Sequence, residues 1–416
     1  MRKFTAAMIP RIFKNRNLVL LWIGHIISHG GDAIYQIALP WLVLELTGSK
    51  TTTSLVAVSA YLPAVLFSLL SGVLVDRFDR RRVMMFSDGA RMLLIALLAV
   101  YLLKGGTSPV VLGFTAFLVA TFATLFYPAR DALIPDLVTP DRLTTANAFI
   151  STSGQFAHLA GPVLAGALVA LVGIYHLFTL DALSFAASLI CLAMITFRQT
   201  IPRKVRTGAN SHLSDMMAGL RFVRREQALG LLILLTALNN LFIMGPAIVG
   251  TPIFVREVLL LDFKAFAVIE AFMAGGMLIG SLVVWRLGRE VNPSAVLFTG
   301  MILDGITYSL LFLVTTYTQT CILLLIHGIG IPMITISRTT IIQRAVPRHY
   351  RGRVFSMVNL SVMGLTAISA GLIGPLAEVF PIGAIFLAIG IGAALCGLIG
   401  LGHGGMMKLV PAATAE

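Results

Sequence analysis

The sequence predicts an all-α integral membrane protein, with twelve transmembrane helices in two pseudo-symmetric six-helix halves. Three observations carry that expectation. Of 416 residues, 57% are hydrophobic and 12% charged, and the mean hydropathy is +0.92, so nearly every segment carries apolar surface that only lipid can cover. The apolar runs are each about 20 residues long, enough to cross a hydrocarbon core. With the loops numbered alternately inside and outside from the N-terminus, the inside segments hold 26 of the 31 Lys and Arg. That is the asymmetry by which membrane proteins are oriented.

The basic start, "MRKFTAAMIPRIFKNRN", leads into an apolar run too long for a signal-peptide core and followed by no small-residue cleavage site. A retained first span is therefore expected at 18–46. Further spans are expected at 53–75, 83–103, 108–128, 144–172 and 174–197, then at 228–255, 264–287, 294–314, 318–340, 354–377 and 382–404. The longest polar break, 198–227, separates an N-terminal half (1–197) from a C-terminal half (228–416). Its Asp215-to-Arg225 part has the pattern of a short amphipathic helix on the inner surface, with a plain linker as the alternative. Both termini are expected in the cytoplasm. The net charge of +13 is then a matter of topology, and nucleic acid is not expected as a partner. Cys191, Cys321 and Cys396 all lie in apolar runs and read as packing residues.

The halves echo each other. "FYPARDALIPDLVTPDRLTTANAF" ends span four and "ISRTTIIQRAVPRHYRGRVFS" ends span ten, with Arg130 and Arg338 in the same place. A duplicated six-span unit points to a two-fold transporter with its site near the membrane midplane.

The polar residues inside spans are the candidates for function, because lipid penalises them. In "GHIISHGGDAIYQIALPWLV", His25, His29, Asp32 and Gln36 fall on one helical stripe, opposite Ile23, Ile27 and Ile34. Such a stripe should line a water-filled cavity, with Asp32 as first candidate to load and release a proton. The alternatives are a packing acid bonded to a neighbouring helix, or one metal ion shared by His25, His29 and Asp32. Glu270 in span eight and Asp304 in span nine are further proton-coupling candidates, Asp304 weighted towards structure. Asn239, Asn240, His327, Gln155 and His158 are cavity or substrate candidates. Asp88 and Arg91, three residues apart, are expected to pair. Met244, Met273, Met277 and Phe272 read as packing residues, with an adaptable apolar lining as the alternative.

Between spans two and three lies "GVLVDRFDRRR". Gly72 would permit close helix approach, Asp76 could accept from a helix N-terminus, and Arg77, Arg80, Arg81 and Arg82 could pair with carboxylates or lipid phosphates. Its spacing closely resembles the signature loop of the major facilitator superfamily. The resemblance implies that Asp76 and Arg77, with Arg80 and Arg81, act as a conformational latch between halves, and Gly72, Arg130 and Arg338 are expected to belong to the same latch. Asp79 stands where that family usually has a second Gly. "GDAIYQIALPWLVLELTGS", "PARDALIPDLVTPDRLTTANAF", "GPVLAGALV" and "RGRVFS" are similar to a branch of exporters that includes macrolide-efflux and enterobactin-export proteins. In span five, Gly154, Gly161, Pro162 and Gly166 match that family's helix-bending motif, while Ala157 replaces a usual Gly. The fourth-span Arg of many proton-coupled drug antiporters has no counterpart here.

Enzyme signatures are missing. "TGSKT" (Thr47 to Thr51) lacks the leading glycine and Gly-Lys pair of a phosphate loop, and nothing resembles a nucleophile elbow or an HExxH motif. The sequence is therefore expected to encode a monomeric, multi-pass secondary transporter of a bacterial-type inner membrane. It would exchange a drug-like or siderophore-like amphipathic molecule against protons, with no cofactor and with membrane lipids and the small-molecule cargo as partners. Export of a divalent metal or metal chelate is the second expectation. A transporter-fold receptor or lipid-handling protein is the third.

Overall fold

The computed structural model describes residues 15–139, 142–196, 221–287 and 291–409. Their elements in chain order are α1 (Arg16–Thr47), α2 (Lys50–Arg77), α3 (Arg80–Leu103), α4 (Pro109–Leu137), α5 (Leu143–Val172) and α6 (Ile174–Met194). Then come α7 (Gln227–Glu257), α8 (Phe263–Leu287), α9 (Pro293–Leu313), α10 (Tyr317–Ala345), α11 (Arg348–Val379), α12 (Ile382–Gly402) and a short α13 (Gly404–Met407). Eleven of these are long and apolar enough to cross a membrane. The exception among the twelve long helices is α1. At 32 residues it has the length, about 48 Å at 1.5 Å per residue, but its His25, His29, Asp32 and Gln36 lower its apolarity.

Several helices outrun their expected spans. Span four was expected to stop at Pro128, yet α4 continues through Pro128 and Pro135 to Leu137. Groups from outside the helix support this end. Arg80 donates to the Ala132 carbonyl at 2.9 Å and pairs with Asp136 at 2.5 Å, and Asn15 donates to the Leu137 carbonyl at 2.6 Å. Prolines inside membrane helices persist where such partners take up the disturbed backbone groups. α7 contains one π-helical turn, Pro246–Gly250. Of the linker expected to hold an amphipathic helix, residues 221–225 are helical and 197–220 lie outside the described residues.

The chain divides into two compact units. Unit 1 draws on residues 1–42 and 63–209, unit 2 on 43–62 and 210–416. The α1–α2 turn and its flanking residues thus belong to the second unit. There the Lys50 ammonium lies 2.7 Å from the Glu257 carboxylate, Glu378 accepts from the backbone N–H groups of Lys50 and Thr51, and Ser54 Oγ accepts from Gly374 N at 2.7 Å.

Within unit 1, α3 packs on α4 and α6, and an apolar core forms around Leu18, Leu21, Met84, Phe126, Leu133 and Leu192. The basic turn is tied into this unit. Asp79 caps α3 by accepting from Arg82 N at 2.8 Å, which explains its place in the loop, and Arg81 donates to the carbonyls of Leu192 and Ala193 at 2.7 and 2.6 Å. Gly72 does not serve a close helix approach, since a Cβ there would meet no described atom within 4 Å. Within unit 2, α8 and α10 pack closely where Gly276, Gly280 and Gly328 leave room for each other's backbone. The expectation that Phe272 packs in the interior is corrected: it is 41% exposed, on the side of α8 about 200° from Glu270.

Candidate functional site: two buried polar clusters

The first cluster gathers four helices of unit 1. Asp32 comes from α1, Asp88 and Arg91 from α3, Tyr127 and Arg130 from α4, and Asp181, Ser184 and Ser188 from α6. Asp88 and Arg91 pair as their spacing predicts, but the same guanidinium also reaches Asp32, with Nη1 to Oδ2 at 3.2 Å. Arg91 is 1% exposed and is flanked by the Phe126 and Phe185 rings, 5.0 and 4.3 Å from its guanidinium carbon. Those rings add cation–π attraction in a dry setting. Ser188 Oγ donates to Asp88 at 2.6 Å. Asp181 is buried within electrostatic reach of Asp32 and Arg91, and its Oδ2 has no hydrogen-bond partner. Two carboxyl groups thus bond one guanidinium, and a third lies within its electrostatic reach. Fully ionised, the four would carry two uncompensated negative charges, a costly state in a place this poorly hydrated.

Local geometry explains the assembly. On α6, Asp181, Ser184 and Ser188 occupy one face at i, i+3 and i+7. On α1, Gly24 and Gly31 present no side chain to that face. A Cβ at Gly31 would overlap Ser184 and Asp181, and one at Gly24 would come within 3.1 Å of the Cys191 Cβ. Close approach of α1 and α6 therefore depends on these two glycines. Gly161 of α5 does the same against Ala33, and α5 runs unbroken across Pro162, with Gly166 a turn further on.

The two histidines of the α1 stripe part company with Asp32. Arg130 Nη1 lies 3.0 Å from His25 Nε2, and a guanidinium only donates, so that ring nitrogen accepts. His29 Nδ1 lies 3.4 Å from the Tyr127 hydroxyl, and the two imidazoles stack at 5.2 Å. The three side chains form no metal-binding group, and no group of three or more His, Cys, Asp or Glu suited to a metal ion occurs among the described residues. Gln36 and Gln155 are exposed; of the three isoleucines expected on one apolar side, Ile23 and Ile27 are exposed whereas Ile34 is buried. The side chains of Asp76 and His158 lie outside the described set. Arg77 is exposed, while Arg130 and Arg338 are half-buried.

The second cluster lies in unit 2. His327 of α10 faces Asp304 of α9, with Nδ1 to Oδ1 at 3.4 Å and Thr307 Oγ1 at 3.1 Å from the same nitrogen. Asn239 of α7 donates to Asp304 Oδ2 at 3.4 Å, and the Tyr308 ring meets His327 edge-on at 4.8 Å. Asp304 and His327 are 3% and 1% exposed. The neighbouring Asn240 turns elsewhere, donating to the Val362 carbonyl and Thr366 Oγ1 of α11 at 3.1 and 2.9 Å. Glu270 of α8 is buried apart from these bonds.

Asp181 and its two serines escape a sequence reading that looks at acids singly. The signal is present all the same: "DALSFAAS" repeats on α6 the i, i+3/i+4, i+7 polar spacing of the α1 stripe.

The sequence profile of a family described as transmembrane secretion effectors matches residues 7–409. The chain is 27% identical to the multidrug efflux pump Tap of Mycolicibacterium fortuitum, over 93% of this chain and 95% of that one. It is 24% identical to macrolide efflux protein A of Streptococcus pyogenes, over 85% and 87%. Among solved structures, a point mutant of the nucleoside transporter NupG superposes with a TM-score of 0.76 at 12% identity, covering 92% of this chain and 99% of that one. A bacterial homologue of the iron transporter ferroportin superposes with a TM-score of 0.72 at 18% identity, over 93% and 99%. At such identities the superpositions speak for the fold alone.

Proposed function

Because the chain belongs to the transmembrane secretion effector family of major facilitator transporters, and is therefore a multi-pass membrane transporter and not an enzyme, we propose that it exports an amphipathic small molecule in exchange for protons. The efflux relatives support export of a drug-like cargo. The bacterial relatives support a bacterial cytoplasmic membrane, and the distribution of Lys and Arg supports both termini inside.

The observation that carries proton coupling is the Asp32–Arg91–Asp88–Asp181 cluster. A proton on Asp32 removes the charge that Arg91 reaches across to, leaving the guanidinium to Asp88 on its own helix. The α1–α3 tie then loosens. Proton release restores it. His25, His29, Tyr127 and Arg130 sit beside this switch and offer a mixed polar and aromatic surface to cargo.

The test is transport in proteoliposomes under an imposed pH gradient, with ethidium and a macrolide as probes. Gradient-driven movement should fall at least about tenfold in Asp32→Asn, with probe binding retained. Unchanged driven transport in that variant would remove Asp32 from the coupling step.

A further inference from the structure

Unit 2 holds a buried acid beside a buried imidazole, and their hydrogen-bond partners leave a proton missing. Thr307 has one hydroxyl proton, and it points to the backbone: Oγ1 lies 2.8 Å from the Leu303 carbonyl and 3.0 Å from that of Asp304. The 3.1 Å contact between Thr307 Oγ1 and His327 Nδ1 therefore needs the imidazole to donate. This places the ring's own proton on Nδ1, between Thr307 and Asp304 Oδ1, and leaves Nε2 as the basic nitrogen. The arrangement matches one in which a carboxylate orients an imidazole and stabilises its charged form. Asp304 Oδ1 and Asn239 Oδ1 are both buried without a hydrogen-bond donor. A Cβ on Gly330 would come within 2.8 Å of Asp304 Oδ1, so the bare glycine on α10 makes the room that the carboxyl occupies.

We propose that Asp304 and His327 form a second proton-binding pair, which takes up one proton jointly and independently of the cluster around Arg91. With that proton the pair is neutral overall, as an imidazolium beside a carboxylate or as a neutral imidazole beside a carboxylic acid. Without it the pair carries one unmatched negative charge in the protein interior. The groups facing the pair are few. α7 contributes the Asn239 amide, α9 itself contributes Thr307 and Tyr308, and α8 contributes Glu270, which acts electrostatically on Tyr308. α12 carries no charged side chain, and its thiol, Cys396, packs with Leu297, Phe298 and Met301. No guanidinium or ammonium among the described residues pairs with Asp304, so a proton is the counter-charge the site has to hand. The inference rests on the reading of the protein as proton-coupled and adds a second proton site to it.

The experiment is a pH series of infrared difference spectra on the purified, detergent-solubilised full-length protein with ¹³C-labelled aspartate carboxyls, which separates Asp304 from Glu270. A labelled carboxyl signal that titrates in the wild type should be missing from Asp304→Asn. Its midpoint should move by about one pH unit or more in His327→Gln, because a charge that close shifts a carboxyl by that order. Thr307→Val, which removes the competing acceptor of Nδ1, is the second variant and should move the midpoint as well. A spectrum unchanged by Asp304→Asn, or a midpoint indifferent to both His327→Gln and Thr307→Val, overturns the pair. Asp32→Asn should leave this signal in place. Loss of coupling through Asp32 and loss of the pair are thus read by different variants in different assays.

Discussion

In unit 1 the buried acids surround a guanidinium, whereas in unit 2 the buried acid faces an imidazole. The first arrangement carries a charge that cannot be switched off, because Arg91 stays protonated at any ordinary pH, so Asp32 and Asp88 are tied to a fixed cation. The second can become neutral as a whole by moving a single proton. A fixed cation makes a cluster costly to dismantle. A titratable one makes it cheap to alter. The two regions also differ in how they are closed: glycines on α1 draw α6 against the Arg91 cluster, while Gly330 opens space for Asp304.

Five substitutions test that contrast. The largest effect is expected for Arg91→Met, which strands Asp32 and Asp88. Breaking a buried ion pair from one side costs about 3–5 kcal/mol, so thermal unfolding in detergent should show a large loss or no folded protein. An Arg91→Met variant as stable as the wild type would mean that the acids around it need no cation. Next comes Ser188→Ala, which removes a buried donor to Asp88 and should cost about 2 kcal/mol in the same measurement.

Gly31→Ala should cost about 1–3 kcal/mol by forcing α1 from α6, whereas its neighbour Gly30, around which a Cβ meets no described atom within 4 Å, should accept alanine with a gain of up to about 1 kcal/mol. Equal behaviour of the two would dissolve the argument from close approach. The smallest effect is expected for Asp304→Asn, about 1 kcal/mol or less, because an amide keeps the contact to Asn239 and no fixed cation is left without a partner. A loss matching that of Arg91→Met would erase the difference between the clusters.

Much of this was legible in the residues. The spans and the polar stripe on α1 follow from apolar run length and helical period, both properties of local sequence. The Asp88–Arg91 pair follows from spacing on one helix. The Arg91–Asp32 bond could not be read this way, because the two residues lie 59 positions apart on different helices and only the tertiary fold joins them. Asp181 entered the site for the same reason. The readings that needed correction also concerned neighbours on other elements: Gly72 meets no described atom where close approach was expected, and α4 runs past Pro128 because Arg80 and Asn15 support its end.

The sequence by itself determined that the chain is a bundle of membrane helices, which of its segments lie in lipid, and which of them carry polar groups that lipid would not accept. Those are consequences of transfer free energy and of period along one helix, and each can be evaluated one segment at a time. Tertiary structure decided which acid shares Arg91, which histidine faces Asp304 and which glycine lets two helices touch. A buried charge takes its partner from whichever helix packs against it, and that choice is made in three dimensions.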